Sequence, residues 1–144
     1  MKKEVVIPAE LKWKGGTVAE ARIRDMTLLM DSPPHEKEGG KSLGLSATET
    51  FVLAIGRCQL VSTLKAAKAL GVEMRGLSLA LEMRDREQEP GVYSFEKVTV
   101  RVNIDADADE RTIGKILRES HKYCAVGRAV KEGLIKLELD RSKG

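Results

Sequence analysis

Small or apolar and polar positions alternate over residues 17–23, within a first third of the chain that reads as short antiparallel strands. Residues 9–14 (AELKWK) run into a Gly15-Gly16 pair, and 17–23 (TVAEARI) alternate small or apolar with polar side chains, which predicts a β-hairpin. A third short strand is predicted over 26–31 (MTLLMD). The segment 32–44 (SPPHEKEGGKSLG) carries Pro-Pro and Gly-Gly pairs among charges and reads as a solvated loop. Ser46-Ala47-Thr48-Glu49 then matches a capping box and opens a long helix that runs to Gly71. Its first half, FVLAIG, is apolar on every face and predicts burial on all sides; in its second half Lys65 and Lys68 face outward.

Period two returns after Gly71. Leu77, Leu79, Leu81 and Met83 share one face of a strand, and Val98, Val100, Val102 and Ile104 share one face of the next, with DREQEPG (85–91) as the loop between them. A second helix is expected from near Asp107, with Ile113, Ile116 and Leu117 on one stripe extending to Ser120 or His121. KYCAVGRAVKEG (122–133) reads as a turn and a short helix that begins near Cys124 and ends at Gly133; LIKLELD (134–140) reads as a closing strand. Strand runs separated from helices indicate an α+β fold in a single domain, 1–144. A helix apolar all round needs more cover than so small a chain supplies, which points to a two-fold homodimer.

Composition narrows the function classes. The net charge is +3 with both signs interspersed, and aromatic residues make up 3%, so neither a basic stripe nor a base-stacking platform for nucleic acid is indicated. No apolar run approaches a membrane span, and Glu4, Glu10 and Lys12 interrupt anything resembling a signal peptide, so a cytoplasmic location is expected. Asn103, Gln59 and Gln88 are the only side-chain amides, a composition that hints at a thermophilic source. Two cysteines, Cys58 and Cys124, lie 66 residues apart with two histidines, His35 and His121, and no CxxC, which supports zinc poorly and leaves inert core or thiol redox chemistry.

GLSATETFVLAIGRC (44–58) and KYCAVGRAVKEG, with their spacing and the order of elements, resemble the segments around the two cysteines of OsmC/Ohr proteins, over roughly residues 9–140. MTLLMDSPP with the Gly-rich loop looks like the short OsmC-like branch. The resemblance implies an intertwined homodimer with antiparallel sheets wrapped around central helices. It also implies metal-free, cofactor-free reduction of organic hydroperoxides, with Cys58 as peroxidatic thiolate, Cys124 as resolving thiol and an external dithiol as reductant.

The family's auxiliary residues map less directly. An arginine from the N-terminal strands or the following loop normally faces the first cysteine, held by a glutamate near the start of the long helix. Here the loop 31–45 has no arginine, which leaves Arg22 and Arg24 as N-terminal candidates and Arg57 and Arg128 beyond them. The family glutamate stands ten residues before the cysteine, where this chain has Thr48; Glu49 is nine before, about 900° away around the helix, so a capping role competes with a catalytic one. A mid-helix Cys58 amid Leu, Ile and Val should have its thiol pKa raised by desolvation unless a cation offsets it. Cys124, at the start of a short helix, has the dipole in its favour, and Arg128 four residues on could face it. His121 is a candidate base or a plain helix-end residue. Phe51, Ala54 and Ile55 could line an alkyl pocket or form dimer core. The competing function is a redox-responsive or small-ligand-binding dimer of the same fold with little turnover.

Overall fold

The computed structural model describes residues 3–35, 39–133 and 135–141. Its elements run β1 (Ala9–Trp13), β2 (Ala19–Ile23), β3 (Met26–Met30), α1 (Ala47–Ala69), β4 (Met74–Glu89), β5 (Val92–Ala106), α2 (Glu110–Ser120), a single 3-10 turn (His121–Tyr123) and α3 (Ala125–Glu132). This is the α+β order expected from the sequence. Two compact units arise: one reaches to Phe51 and adds Glu87–Tyr93, and the other comprises Val52–Arg86 with the chain from Ser94 onward.

In the first unit the strands pair antiparallel in the order β1-β2-β3, with Leu11 opposite Ala21 and Ala21 opposite Leu28. The β1–β2 turn uses Gly15 at φ 100° and Gly16 at φ 54°, conformations that a side chain would strain. Trp13 caps it by donating its indole N–H to the Gly16 carbonyl at 3.0 Å, and the residue is 77% exposed.

Asp31, at the end of β3, organises the loop that follows. Its buried carboxylate accepts from the Thr17 hydroxyl and from the backbone N–H groups of Ser32 (2.8 Å), Lys41 (3.0 Å) and Leu43 (3.2 Å). The Asp31 N–H in turn donates to Leu45 O at 3.2 Å, and Leu45 bridges Met30 in parallel. The Thr17 hydroxyl, working against desolvation and assisted by the three N–H groups, lowers the Asp31 pKa from 3.8 to about 2. A depressed carboxylate pKa stabilises the fold above the unfolded value and loses that contribution as pH falls through the folded one. The Lys41 and Leu43 amides should therefore stay protected from hydrogen exchange at pH 5 and lose that protection as the pH is taken down through about 2. Protection already lost near pH 5 would show that Asp31 does not hold the loop.

Helix α1 starts and stops on local signals. Ser46 Oγ accepts from Glu49 N (3.2 Å), and Glu49 Oε1 accepts from Ser46 N (3.0 Å), the full reciprocal capping box. At the other end Gly71 adopts φ 71°, while Val72 N donates to Ala67 O and Gly71 N to Lys68 O, a Schellman closure. The side chains of Lys65 and Lys68 are exposed as expected. The apolar first half is enclosed on one face only: Ile55 and Gly56 are buried, Leu53 is 52% exposed, and further along Leu64 is 40% exposed.

In the second unit β4 and β5 form a two-stranded sheet. Leu77, Leu79, Leu81 and Met83 turn inward on β4, and Val98, Val100, Val102 and Ile104 on β5. The hairpin is longer than its composition suggested. The charged run 85–89 continues β4, and only Pro90 and Gly91 (φ 81°) make the turn. Arg86 reaches across to Glu96 at 2.7 Å, a cross-strand pair that lets the polar run remain a strand. Ala66, Ala67 and Ile116 form the fully buried centre, with Leu70, Val72, Met74, Ile104 and Tyr123 packed around it.

The closing strand expected over 134–140 is not formed. Residues 135–140 have no regular structure, with Leu137 82% and Leu139 93% exposed, and Leu134 lies outside the described residues. Alternation specifies a strand only where an edge is available to pair with it.

A candidate thiol site at the start of α3

The second unit brings Cys58 and Cys124 together. Cys58 lies mid-way along α1, facing the start of α3, where Cys124 is the N-cap. Both sulfurs are free, and they lie near enough for each to shift the other's acidity. The 66-residue separation is closed by packing α1 against the turn between α2 and α3. Gln59 spans the two layers, donating to Thr63 Oγ1 (3.0 Å) and to Ser120 Oγ (2.9 Å), and Ser62, Thr63 and Ser120 are all buried. Every one of these buried hydroxyls has a partner: Ser62 donates to Cys58 O at 2.7 Å, Thr63 to Gln59 O at 2.8 Å and Ser120 to Leu117 O at 2.6 Å.

The first turn of α3 accounts for its N–H groups through this pair. Ala125 and Val126 aim theirs at the Cys58 sulfur. Gly127 donates to the Cys124 sulfur at 3.3 Å, and Arg128 N to the Cys124 carbonyl at 2.9 Å. Helix N-termini favour anions, so this arrangement supports a thiolate.

The two thiols are pushed apart in acidity. Burial alone would raise Cys58, as the sequence suggested, but the Val126 N–H, the Cys124 S–H, the Ser62 hydroxyl and the Ala125 N–H outweigh it and bring its pKa below the ordinary thiol value. Burial raises Cys124, and the adjoining Cys58 raises it further. The expectation that the short helix would favour the Cys124 thiolate is thus corrected: the Val126 and Ala125 N–H groups favour Cys58, while at Cys124, only 2% exposed, burial outweighs the Gly127 N–H and keeps the proton on.

The other candidates are occupied elsewhere. Glu49 is in the capping box, where the Ser46 N–H and hydroxyl lower its pKa. Arg24 occupies the β2–β3 turn at φ 55° with its guanidinium against Met26 Sδ at 4.0 Å, and Arg22 pairs with Glu20 at 3.3 Å. Arg57 is exposed and makes no ion pair among the described residues. Arg128 does not face Cys124; it pairs with Glu132 at 3.6 Å, and the same carboxylate lies 3.8 Å from His121 Nε2. Ala54 is exposed while Ile55 is buried. Ser62 and the α3 amides were not singled out from sequence. Among the described residues no cluster of three His, Cys, Asp or Glu side chains is placed to hold a metal ion.

Gly127 has a steric reason. A Cβ there would lie 2.8 Å from Cys124 Sγ, so a side chain would drive the sulfur away. Gly127→Ala gains helix propensity, about 1 kcal/mol, against overpacking of about 1–3 kcal/mol. Stability should change little, while displacement of the Cys124 S–H donor should raise the Cys58 pKa and slow its alkylation at neutral pH by about tenfold. An alkylation rate equal to that of the unaltered protein would show that Cys124 does not poise Cys58.

A family model described as OsmC-like protein matches residues 39–139, which take in both cysteines. The chain belongs to the OsmC-like family. A search of curated proteins returned no match. Among solved structures, the OsmC-like chain is similar to an OsmC-like protein of unknown function from Vibrio cholerae, with a TM-score of 0.75 and 15% identity over 89% of this chain and 95% of that one. An organic hydroperoxide resistance protein OsmC from Legionella pneumophila gives 0.73 and 14% over 90% and 92%. The organic hydroperoxide resistance protein OhrB of Bacillus subtilis gives 0.66 and 16% over 88% and 91%. At such identities the likeness establishes the OsmC fold. No helix among the described residues is long and apolar enough to cross a membrane.

Proposed function

We propose that this protein is a cytoplasmic thiol peroxidase that reduces organic hydroperoxides through Cys58 and Cys124, with an external dithiol restoring the pair. The observation that carries the reading is that the fold brings the two free cysteines near each other at the start of α3, with the pKa of Cys58 lowered and that of Cys124 raised. A peroxidatic cysteine must be a thiolate to attack the O–O bond, and a resolving cysteine must lie within reach of the sulfenic acid that forms. The family match supports the same chemistry. A homodimer belongs to the proposal: the exposed Leu53 and Leu64 of α1 and the alternating Ile135, Leu137 and Leu139 are apolar surface that a second copy would cover. Glu49 and Arg24, engaged in a cap and a turn, are left as auxiliary candidates rather than carriers of the argument.

The reduced protein should be mixed with a slight excess of cumene hydroperoxide while peroxide and protein mass are followed. Stoichiometric peroxide loss with a mass decrease of about 2 Da, reversed by dithiothreitol, is the expected result. Peroxide left intact with both thiols free would overturn the proposal. A second reading, a redox-responsive dimer with little turnover, draws on the fact that the leading influences on Cys58 include no charged side chain. It would appear as oxidation over hours without catalytic cycling when the dithiol is supplied.

A further inference from the structure

Gln59 directly follows Cys58 on α1 and carries one of the three side-chain amides in the chain. Its NH2 group donates twice: to Thr63 Oγ1 at 3.0 Å, one turn further along the same helix, and to Ser120 Oγ at 2.9 Å, in the last residue of α2. Both hydroxyls have already committed their own proton, Thr63 to the Gln59 carbonyl at 2.8 Å and Ser120 to the Leu117 carbonyl at 2.6 Å. Each oxygen therefore calls for a donor, and with Thr63 0% and Ser120 1% exposed, water has almost no access to either. An amide NH2 serves two such acceptors without burying a charge.

The bond from α1 to α2 lies close to both thiols. Helix α2 runs back along α1: Ile116 packs with Ala66 and Ala67, and Ser120, one turn after Ile116, meets Gln59, seven residues before Ala66. Seven residues span about 10 Å of helix. The apolar cluster thus fixes the far end of this contact, and the Gln59–Ser120 bond fixes the end beside Cys58. From Ser120 the 3-10 turn His121–Tyr123 leads to Cys124, whose N–H closes on the His121 carbonyl at 3.2 Å. One end of the bond is next to Cys58 in the chain, and the other is joined to Cys124 through a single hydrogen-bonded turn.

We propose that Gln59 is a positioning residue of the thiol site, holding the turn that carries Cys124 against α1 so that the two cysteines are preorganised to pair. The inference rests on the proposed Cys58–Cys124 redox pairing. In the dithiol, the Gln59–Ser120 bond restricts how far the start of α3 moves from α1. In the disulfide, the S–S bond imposes that restriction itself. Loss of the Gln59 donors frees the dithiol while the disulfide stays clamped, so the equilibrium moves toward the open form. The quantity that falls is the effective concentration of Cys124 beside Cys58.

Glutathione disulfide measures that quantity without peroxide. The Cys58 thiolate attacks it, one glutathione leaves as a thiolate and takes a proton from solvent, and Cys124 then displaces the second. Two protein thiols lose two electrons, and glutathione disulfide becomes two glutathiones. Acid-quenched mass spectra at equilibrium in a fixed glutathione buffer give the ratio of closed protein to Cys58–glutathione mixed disulfide. Gln59→Met, which keeps length and helix propensity but has no donor, should lower this ratio about tenfold, the scale of one buried hydrogen bond removed with its partner left unpaired. Ser120→Ala should lower it similarly, and the double variant no further than either single change. Thr63→Val loses only bonds within α1 and should lower Tm with the ratio unchanged. Circular dichroism of every variant should match the unaltered protein. An unchanged ratio in Gln59→Met or Ser120→Ala overturns the inference. Additive shifts in the double variant, or an equal shift in Thr63→Val, mark general loosening and overturn it too. An unaltered protein that halts at the mixed disulfide overturns the redox pairing on which the inference stands. The expected pattern, in a protein that leaves cumene hydroperoxide intact, supports the positioning role and rejects the peroxidase.

Discussion

Cys58→Ser should abolish peroxide consumption, lowering the rate by more than about 10³-fold, because removal of a nucleophile takes away the covalent route altogether. An alcohol does not ionise under conditions where the Cys58 thiol does, and the amides of Ala125 and Val126 that support a thiolate cannot make an alkoxide of it at neutral pH. Cys124→Ser should behave differently. The serine hydroxyl still offers Cys58 a donor, so the first peroxide is consumed and Cys58 gains about 16 Da as the sulfenic acid. With no thiol beside it, that species should react onward with excess peroxide to the sulfinic acid, and dithiothreitol should no longer restore the starting mass. Consumption by Cys58→Ser at the unaltered rate would move the chemistry away from this pair.

Gly44→Ala should be strongly damaging to the first unit. Its Cβ would fall 1.9 Å from Leu29 O and 2.6 Å from Leu29 C, both backbone atoms of β3. Backbone cannot rotate aside, so the segment between the Asp31-bound Leu43 amide and the Leu45–Met30 bridge must lift off the strand. Overpacking typically costs about 1–3 kcal/mol, and a backbone obstruction belongs at or above the upper end, a fall in Tm of roughly 10 °C for a chain of this size. Gly56→Ala is the control. Its Cβ meets the Cδ atoms of Leu81 at 2.7 and 2.9 Å, the movable end of a side chain, and alanine gains about 1 kcal/mol of helix propensity. Its Tm should shift far less. Equal Tm values for the two variants would refute the distinction between backbone and side-chain obstruction.

What the sequence disclosed follows from the range of the interactions involved. Helix α1 was legible at both ends because Ser46, Glu49 and Gly71 act within a few residues of themselves. The true length of β4 was not, since residues 85–89 look like loop until Arg86 finds Glu96 on the opposite strand. The alternation of 135–139 was read correctly as a pattern, but a pattern carries no partner edge. At the site, the cysteines declared themselves by type and spacing. The groups that poise Cys58 did not, because backbone amides carry no residue signature and attention fell on arginines instead. Arg128 shows the cost of that emphasis: Glu132, four residues on, competes for it locally and takes it.

The support of Cys58 by amide dipoles and a buried hydroxyl has a consequence for the solution in which the protein works. A thiolate balanced by a surface guanidinium weakens as salt gathers around the cation, since exposed charges are screened over about 8 Å at physiological ionic strength. Fixed dipoles attract no such ion cloud. The alkylation rate of Cys58 should therefore change little between dilute buffer and concentrated electrolyte.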